Sequence, residues 1–193
     1  MSSLARKIEP RGRLSASDWE QAALEVMAES GIAAVAVEPL ARRLGVTKGS
    51  FYWHFANREA LLQAALDHWE QRDAEETLGS VESIADPRQR LREMFRQVSR
   101  ERPAHVIFAA LLQALDQPLV RPVIARVIQR RIEFLAVAFR EAGLDAAAAA
   151  NRARLACTAY AGFVQLAQFD QPRLNHDEFA AYVEHVIDAL IPA

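Results

Sequence analysis

Apolar residues recur at intervals of three and four along almost the whole chain, and no stretch alternates apolar and polar strictly, so the pattern predicts helices joined by turns and no strand. The first predicted helix opens on a capping box of Ser17 and Glu20, and its apolar stripe is Trp19, Ala22, Ala23, Val26 and Met27. Gly31 stands where a C-terminal cap is wanted. A second helix is predicted over 38–44, with Leu40, Ala41 and Leu44 inward and Gly45 as its stop. Ala36 offers that helix no side-chain cap, and Pro39 is tolerated because it falls in the first turn. Thr47 is placed to cap a short third helix over 48–54. Asn57 is placed to cap a fourth to about residue 76, with Leu61, Leu62, Ala65, Leu66 and Trp69 as its stripe.

Beyond a connector at 78–87, Asp86, Pro87 and Gln89 start a fifth helix, and Pro103 ends it and opens a sixth to about residue 115. A long seventh closes at Gly143. Asp145 begins an eighth reaching about residue 169, whose Ala-rich first turns have high helix propensity, and Asn175 with Glu178 boxes the start of the last. The chain therefore reads as all-α, with about nine helices. The expected division is a helix-turn-helix DNA-binding domain over 1–56, with a basic arm of Arg6, Lys7, Arg11 and Arg13, and a larger helical domain over 57–193.

Two short helices joined by Gly45-Val46 after a longer one have the spacing of a helix-turn-helix, whose second helix enters the major groove of double-stranded DNA. In "GVTKGSFYWHF", residues 45–55, Phe51 and Phe55 are four apart and share the core side with Leu40, Leu44 and Val46. Tyr52, Trp53 and His54 sweep most of the circumference, so they cannot all be buried. Thr47, Lys48 and Ser50 are short or flexible donors, and Gly49 lets backbone approach a base edge or phosphate. Tyr52 and His54 can donate to phosphates, and Trp53 can press on sugars or thymine methyls. Arg58 can pair with a neighbouring phosphate. The competing reading of the cluster is an aromatic minicore.

The order of residues around this segment resembles the N-terminal segment of the TetR family of bacterial transcriptional regulators. The likeness lies in "AALEVMAESG" and "VEPLARRLGVTKGSFYWHFANREALLQAAL", about residues 14–66: Ala22-Ala23, Gly31, Leu40-Ala41, Gly45-Val46, Thr47 to Ser50, Tyr52-x-His54-Phe55 and Glu59-x-Leu61-Leu62. The chain departs from the family at Ala36, where a capping Ser or Thr is usual, and at Ala56-Asn57-Arg58, where a Ser and a Lys are more usual. The resemblance implies that Thr47, Lys48, Gly49, Ser50, Tyr52, Trp53, His54 and Arg58 face DNA. It implies too a homodimer on a palindromic operator, with recognition helices about 34–36 Å apart or somewhat more.

The remaining helices leave room for two further jobs. The last two carry apolar faces suited to a four-helix dimer contact, for which Tyr160, Gly162, Phe163, Tyr182, Val183 and Val186 are the candidates, against the alternative that they only close the monomer core. The fifth to seventh helices offer an apolar lining with polar insertions, from which Phe95, His105, Phe108, Leu112, Gln113 and Phe134 are the candidate contacts of a small hydrophobic or aromatic effector. Binding there is expected to shift the fourth helix and spread the two heads, so that ligand and DNA compete through conformation. A DNA-binding protein without a ligand, or an activator rather than a repressor, remains the alternative.

Composition narrows this only at its edges. A net charge of −2 argues neither for nor against nucleic acid. The single cysteine, Cys157, excludes an internal disulfide, and the five histidines lack metal-ligand spacing with carboxylates. No nucleophile elbow or phosphate loop is present, so catalysis is not expected, nor a cofactor. No run of about 18 uncharged apolar residues occurs, and the N-terminus lacks a signal-like apolar core, so a cytoplasmic protein with no membrane partner is expected.

Overall fold

The computed structural model describes residues 14–76, 81, 83–100, 102–166 and 174–191, and among these every regular element is helical. The nine α-helices are α1 (Ala16–Ser30), α2 (Val37–Leu44), α3 (Lys48–Phe51), α4 (Arg58–Ala74), α5 (Pro87–Arg100), α6 (Arg102–Gln113), α7 (Val120–Glu141), α8 (Ala146–Leu166) and α9 (His176–Leu190). A 3-10 turn at Ile32–Ala34 lies between α1 and α2. The basic arm at Arg6, Lys7, Arg11 and Arg13, and the expected end of α8 near residue 169, lie outside the described residues.

Helix starts follow side chains that accept otherwise orphaned N–H groups. Asn57 accepts from the N–H of Ala60 at 2.8 Å, Asp86 from Gln89 at 2.8 Å and Asp145 from Ala148 at 2.9 Å. Asn175 and Glu178 form the expected capping box. At α1 the box lies two residues earlier than the sequence suggested. Ser15 caps the helix with Asp18, whose carboxylate accepts the Ser15 N–H at 2.7 Å. Both Ser-x-x-acid pairs satisfy the pattern, but Glu20 is engaged elsewhere, meeting His68 Nδ1 of α4 at 2.8 Å.

The third helix is shorter than expected. It is a single turn ending at Phe51, and Tyr52 to His54 continue as a turn in which the His54 N–H donates to the Phe51 carbonyl at 2.9 Å. Thr47 precedes it in extended backbone without a side-chain capping bond. Gly45 ends α2 in the left-handed region at φ 71°, the conformation that lets the chain reverse there and bring α3 against α2.

Two apolar clusters hold the helices together. The first joins Trp19, Ala23 and Met27 of α1, Leu40 of α2, Phe51 and Phe55, and the α4 stripe Leu61, Leu62, Ala65, Leu66 and Trp69 to Phe108 of α6 and the first half of α7. The second joins Leu91 and Met94 of α5 to Leu135 and Phe139 of α7, Ala149, Ala153 and Ala156 of α8, and Ile187 of α9. α7 and α8 form the most extensive helix pair, and the small Ala149, Ala153 and Ala156 let the two axes come close. Because α4 belongs to the first cluster and starts directly after Phe55, it is the mechanical link between the helix-turn-helix and the rest.

Candidate nucleic-acid interface and apolar cavity

The segment after Gly45 is divided by burial as its spacing required. Phe51 is wholly buried, edge-on to Trp19 at 5.4 Å, and Phe55 sits 5.7 Å from it. On the opposite side Tyr52 is 57% exposed and Trp53 80% exposed. Thr47, Lys48 and Gly49 are exposed, and Ser50 and His54 half-buried. The Cβ that Gly49 lacks would meet only the Thr47 hydroxyl at 3.6 Å, so its backbone is open on that side.

Lys48 reaches back to α2, where its ammonium lies 2.8 Å from the Glu38 carboxylate. That contact raises the lysine pKa and lowers that of Glu38. Both groups are well exposed, so the pair is weak and its ammonium can be exchanged to a phosphate. Arg43 is committed more firmly, to Glu29 at 2.7 Å and Glu25 at 3.0 Å.

Arg58 departs from its expected place. Its guanidinium turns inward, and Nε donates to the Val35 carbonyl at 2.6 Å while one terminal nitrogen donates to Ile32 at 2.8 Å. It therefore ties the start of α4 to the turn before α2 instead of standing free for a phosphate. The carbonyls around a 3-10 turn cannot all be satisfied by its own backbone, and a planar fork one residue past the Asn57 cap reaches two of them.

The larger part of the molecule holds a cavity of about 110 Å³, partly open to the surface, between α5, α6, α7, α8 and α9. Phe95 and His105 line it as expected. The other four candidates do not. Phe108 is buried in the first cluster, stacked between Trp69 at 6.3 Å and Tyr160 at 5.5 Å; Leu112 packs against that cluster, Phe134 against the second, and Gln113 is exposed. In their place stand residues assigned from sequence to a dimer contact: Tyr160, Phe163, Tyr182, Val183 and Val186 all line the cavity. Only Gly162 of that set faces out without lining it. The reason is rotational: α8 directs Tyr160 and Phe163 inward with Ala159 at the cavity edge, and its exposed residues away from the cavity include Leu155, Gly162 and Leu166.

Arg131 was not anticipated from sequence. It lines the cavity with its guanidinium over Phe108 at 4.7 Å and Tyr160 at 5.4 Å, and it is bonded to the buried carboxylate of Asp73 on α4. The available signal was the Arg130-Arg131 pair interrupting an otherwise apolar helix stripe. Cys157 lines the same space, and burial pushes its thiol up to about 11 against a small opposing pull from Arg131.

The described residues thus form a helical bundle with a helix-turn-helix at one end and an apolar cavity at the other. Residues 21–65 match the profile of the family described as bacterial regulatory proteins, tetR family. The uncharacterized HTH-type transcriptional regulator TtgW of Pseudomonas putida is 36% identical over 63 residues, which take in 33% of this chain and 47% of that protein. The match thus spans less than half the length of that relative. Over nearly the whole chain the fold is that of a transcriptional regulator from Rhodococcus sp. Rha1, with a TM-score of 0.76 at 20% identity over 92% of this chain and 96% of that one. AibR, solved with isovaleryl coenzyme A and operator DNA, is similar at a TM-score of 0.67 and 20% identity, covering 92% of this chain and 98% of its own. Residues 21–65 are therefore similar to the TetR-family N-terminal segment, and the rest of the chain shares the fold of these regulators.

Proposed function

We propose that this protein is a ligand-responsive DNA-binding transcriptional regulator, a repressor that binds a palindromic operator as a homodimer and is released by a small effector. The observation that carries the reading is the exposure of Tyr52 and Trp53 on a segment whose other side, at Phe51, is wholly buried. Tyr52 packs one edge on Phe51 at 5.2 Å but leaves more than half its surface exposed, and with Trp53 beside Thr47, Lys48 and Ser50 it suits sugar, phosphate and base-edge contacts. The aromatic-minicore alternative required these rings to be covered. In this reading residues 1–56 form the DNA-binding head, residues 57–193 the effector and dimer body, and the protein works in the cytoplasm.

For the dimer, the exposed α8 residues Leu155, Gly162 and Leu166 form the surface that supports a symmetric helix contact. Tyr160 and Phe163 then serve the effector instead. AibR shows that a protein of this fold can bind both operator DNA and an acyl thioester ligand. One observation favours the reading without an effector: the cavity, at about 110 Å³, is below the usual range for ligand pockets. An effector of this protein is therefore small, or it opens the cavity as it enters.

Fluorescence anisotropy with DNA fragments flanking the coding gene tests the reading. Binding to one fragment should fall steeply with salt, because Lys and Arg contacts to phosphate release counterions. Equal, salt-insensitive affinity for all fragments, or none, would sink it. A reporter driven by the bound fragment separates repression from activation.

A further inference from the structure

The α4–α7 contact is a cluster of charges. Two carboxylates of α4, Glu70 and Asp73, face three guanidinium groups of α7: Arg126 lies 2.6 Å from Glu70, Arg130 lies 3.5 Å from Glu70 and 3.7 Å from Asp73, and Arg131 bonds Asp73. Asp67 acts on Arg126 from further along α4, and Glu133 is exposed beyond them on α7. The Nε groups of both Arg130 and Arg131 are buried without a hydrogen-bond partner among the described residues. Of these three cations, Arg131 alone lines the cavity. The far wall is aromatic, with Phe163 stacked on Phe179 at 5.1 Å and on Tyr182 at 5.8 Å.

Resting on the reading of this cavity as the effector site, we propose that it takes a small aromatic monocarboxylate. The ring lies against Phe163 and Tyr182, and the carboxylate meets Arg131 in competition with Asp73. The volume restricts the body to about one ring, since a cavity of about 150 Å³ accommodates benzene and this one is smaller, though open on one side. The charge follows from Arg131. A buried guanidinium with spare donor capacity rewards an anion, leaves a neutral alcohol only a weaker bond, and repels an ammonium. Because Asp73 belongs to α4, an anion that draws Arg131 away loosens the helix that leads to the DNA-reading segment.

Calorimetry on the full chain with benzoate, benzyl alcohol and benzylammonium tests this. Benzoate should bind at least about tenfold more tightly than benzyl alcohol, with benzylammonium weakest. The paired substitution Asp73→Asn with Arg131→Gln keeps an uncharged contact, and it should erase the preference for benzoate, so that benzoate and benzyl alcohol bind alike. Benzoate should also slow alkylation of Cys157 in the unaltered protein, a readout that does not depend on the variant folding. Equal binding of benzoate and benzyl alcohol, or a preference that survives the paired substitution, overturns the anionic assignment but leaves the cavity as an effector site. Binding of none of the three, with Cys157 alkylated at the same rate throughout, overturns both.

Discussion

Asp73, the one charged residue buried among those described, is bonded across the α4–α7 contact to Arg131, whose guanidinium also caps the rings of Phe108 and Tyr160. A carboxylate so placed is stable only while it is paired. Replacing Asp73 by Ala strands a buried cation and should lower stability by about 3 kcal/mol, read as a shifted urea midpoint. The paired Asn and Gln substitution should recover part of that loss.

Arg58 gives the opposite lesson about an arginine beside the helix-turn-helix. Its two bonds to the carbonyls of Ile32 and Val35 make it structural. Arg58→Ala should cost about 1–3 kcal/mol of stability, and any loss of DNA affinity should come with a lowered melting temperature. Unchanged melting together with lost affinity would instead make Arg58 a phosphate contact.

Lys48 and Glu38 should move DNA affinity in opposite directions without touching the core, because both are exposed. Lys48→Ala should weaken binding and reduce the salt slope by about one, whereas Glu38→Gln should free the ammonium and strengthen binding. Anisotropy titrations at several salt concentrations read both effects, and the melts should coincide.

Cys157 should be sluggish toward iodoacetamide at pH 8, since its thiol titrates near 11 and carries little thiolate there. Its folded pKa is raised above the ordinary 9.0 because burial disfavours the charged form. The stability this group contributes is therefore full below pH 9 and lost as pH rises toward 11. A pH series of alkylation rates, native against unfolded, measures the gap.

Gly162 and Phe163 are neighbours on α8 that should respond differently to a charge. A side chain at Gly162 meets nothing within 4 Å in the monomer, so Gly162→Glu should give monomers by light scattering with an unchanged melt if the α8 stripe forms the dimer. Phe163→Glu should unfold the body or abolish effector binding, because that ring lines the cavity. An intact dimer in the Gly162 variant moves the interface elsewhere.

The sequence by itself determined the helices, most of their caps and the two sides of the segment after Gly45. Those features depend on residues close along the chain: a cap and its N–H three apart, Phe51 and Phe55 four apart, Gly45 at a left-handed stop. Only the tertiary structure decided which way α8 is turned, and so that Tyr160 and Phe163 line the cavity. It also decided that Phe108 is core and that Arg131 enters the cavity. An apolar stripe says that a helix face is buried but not against what, and an arginine shows its partner only when another helix brings the carboxylate. Asp73 and Arg131 are 58 residues apart in the chain, and no local pattern joins them.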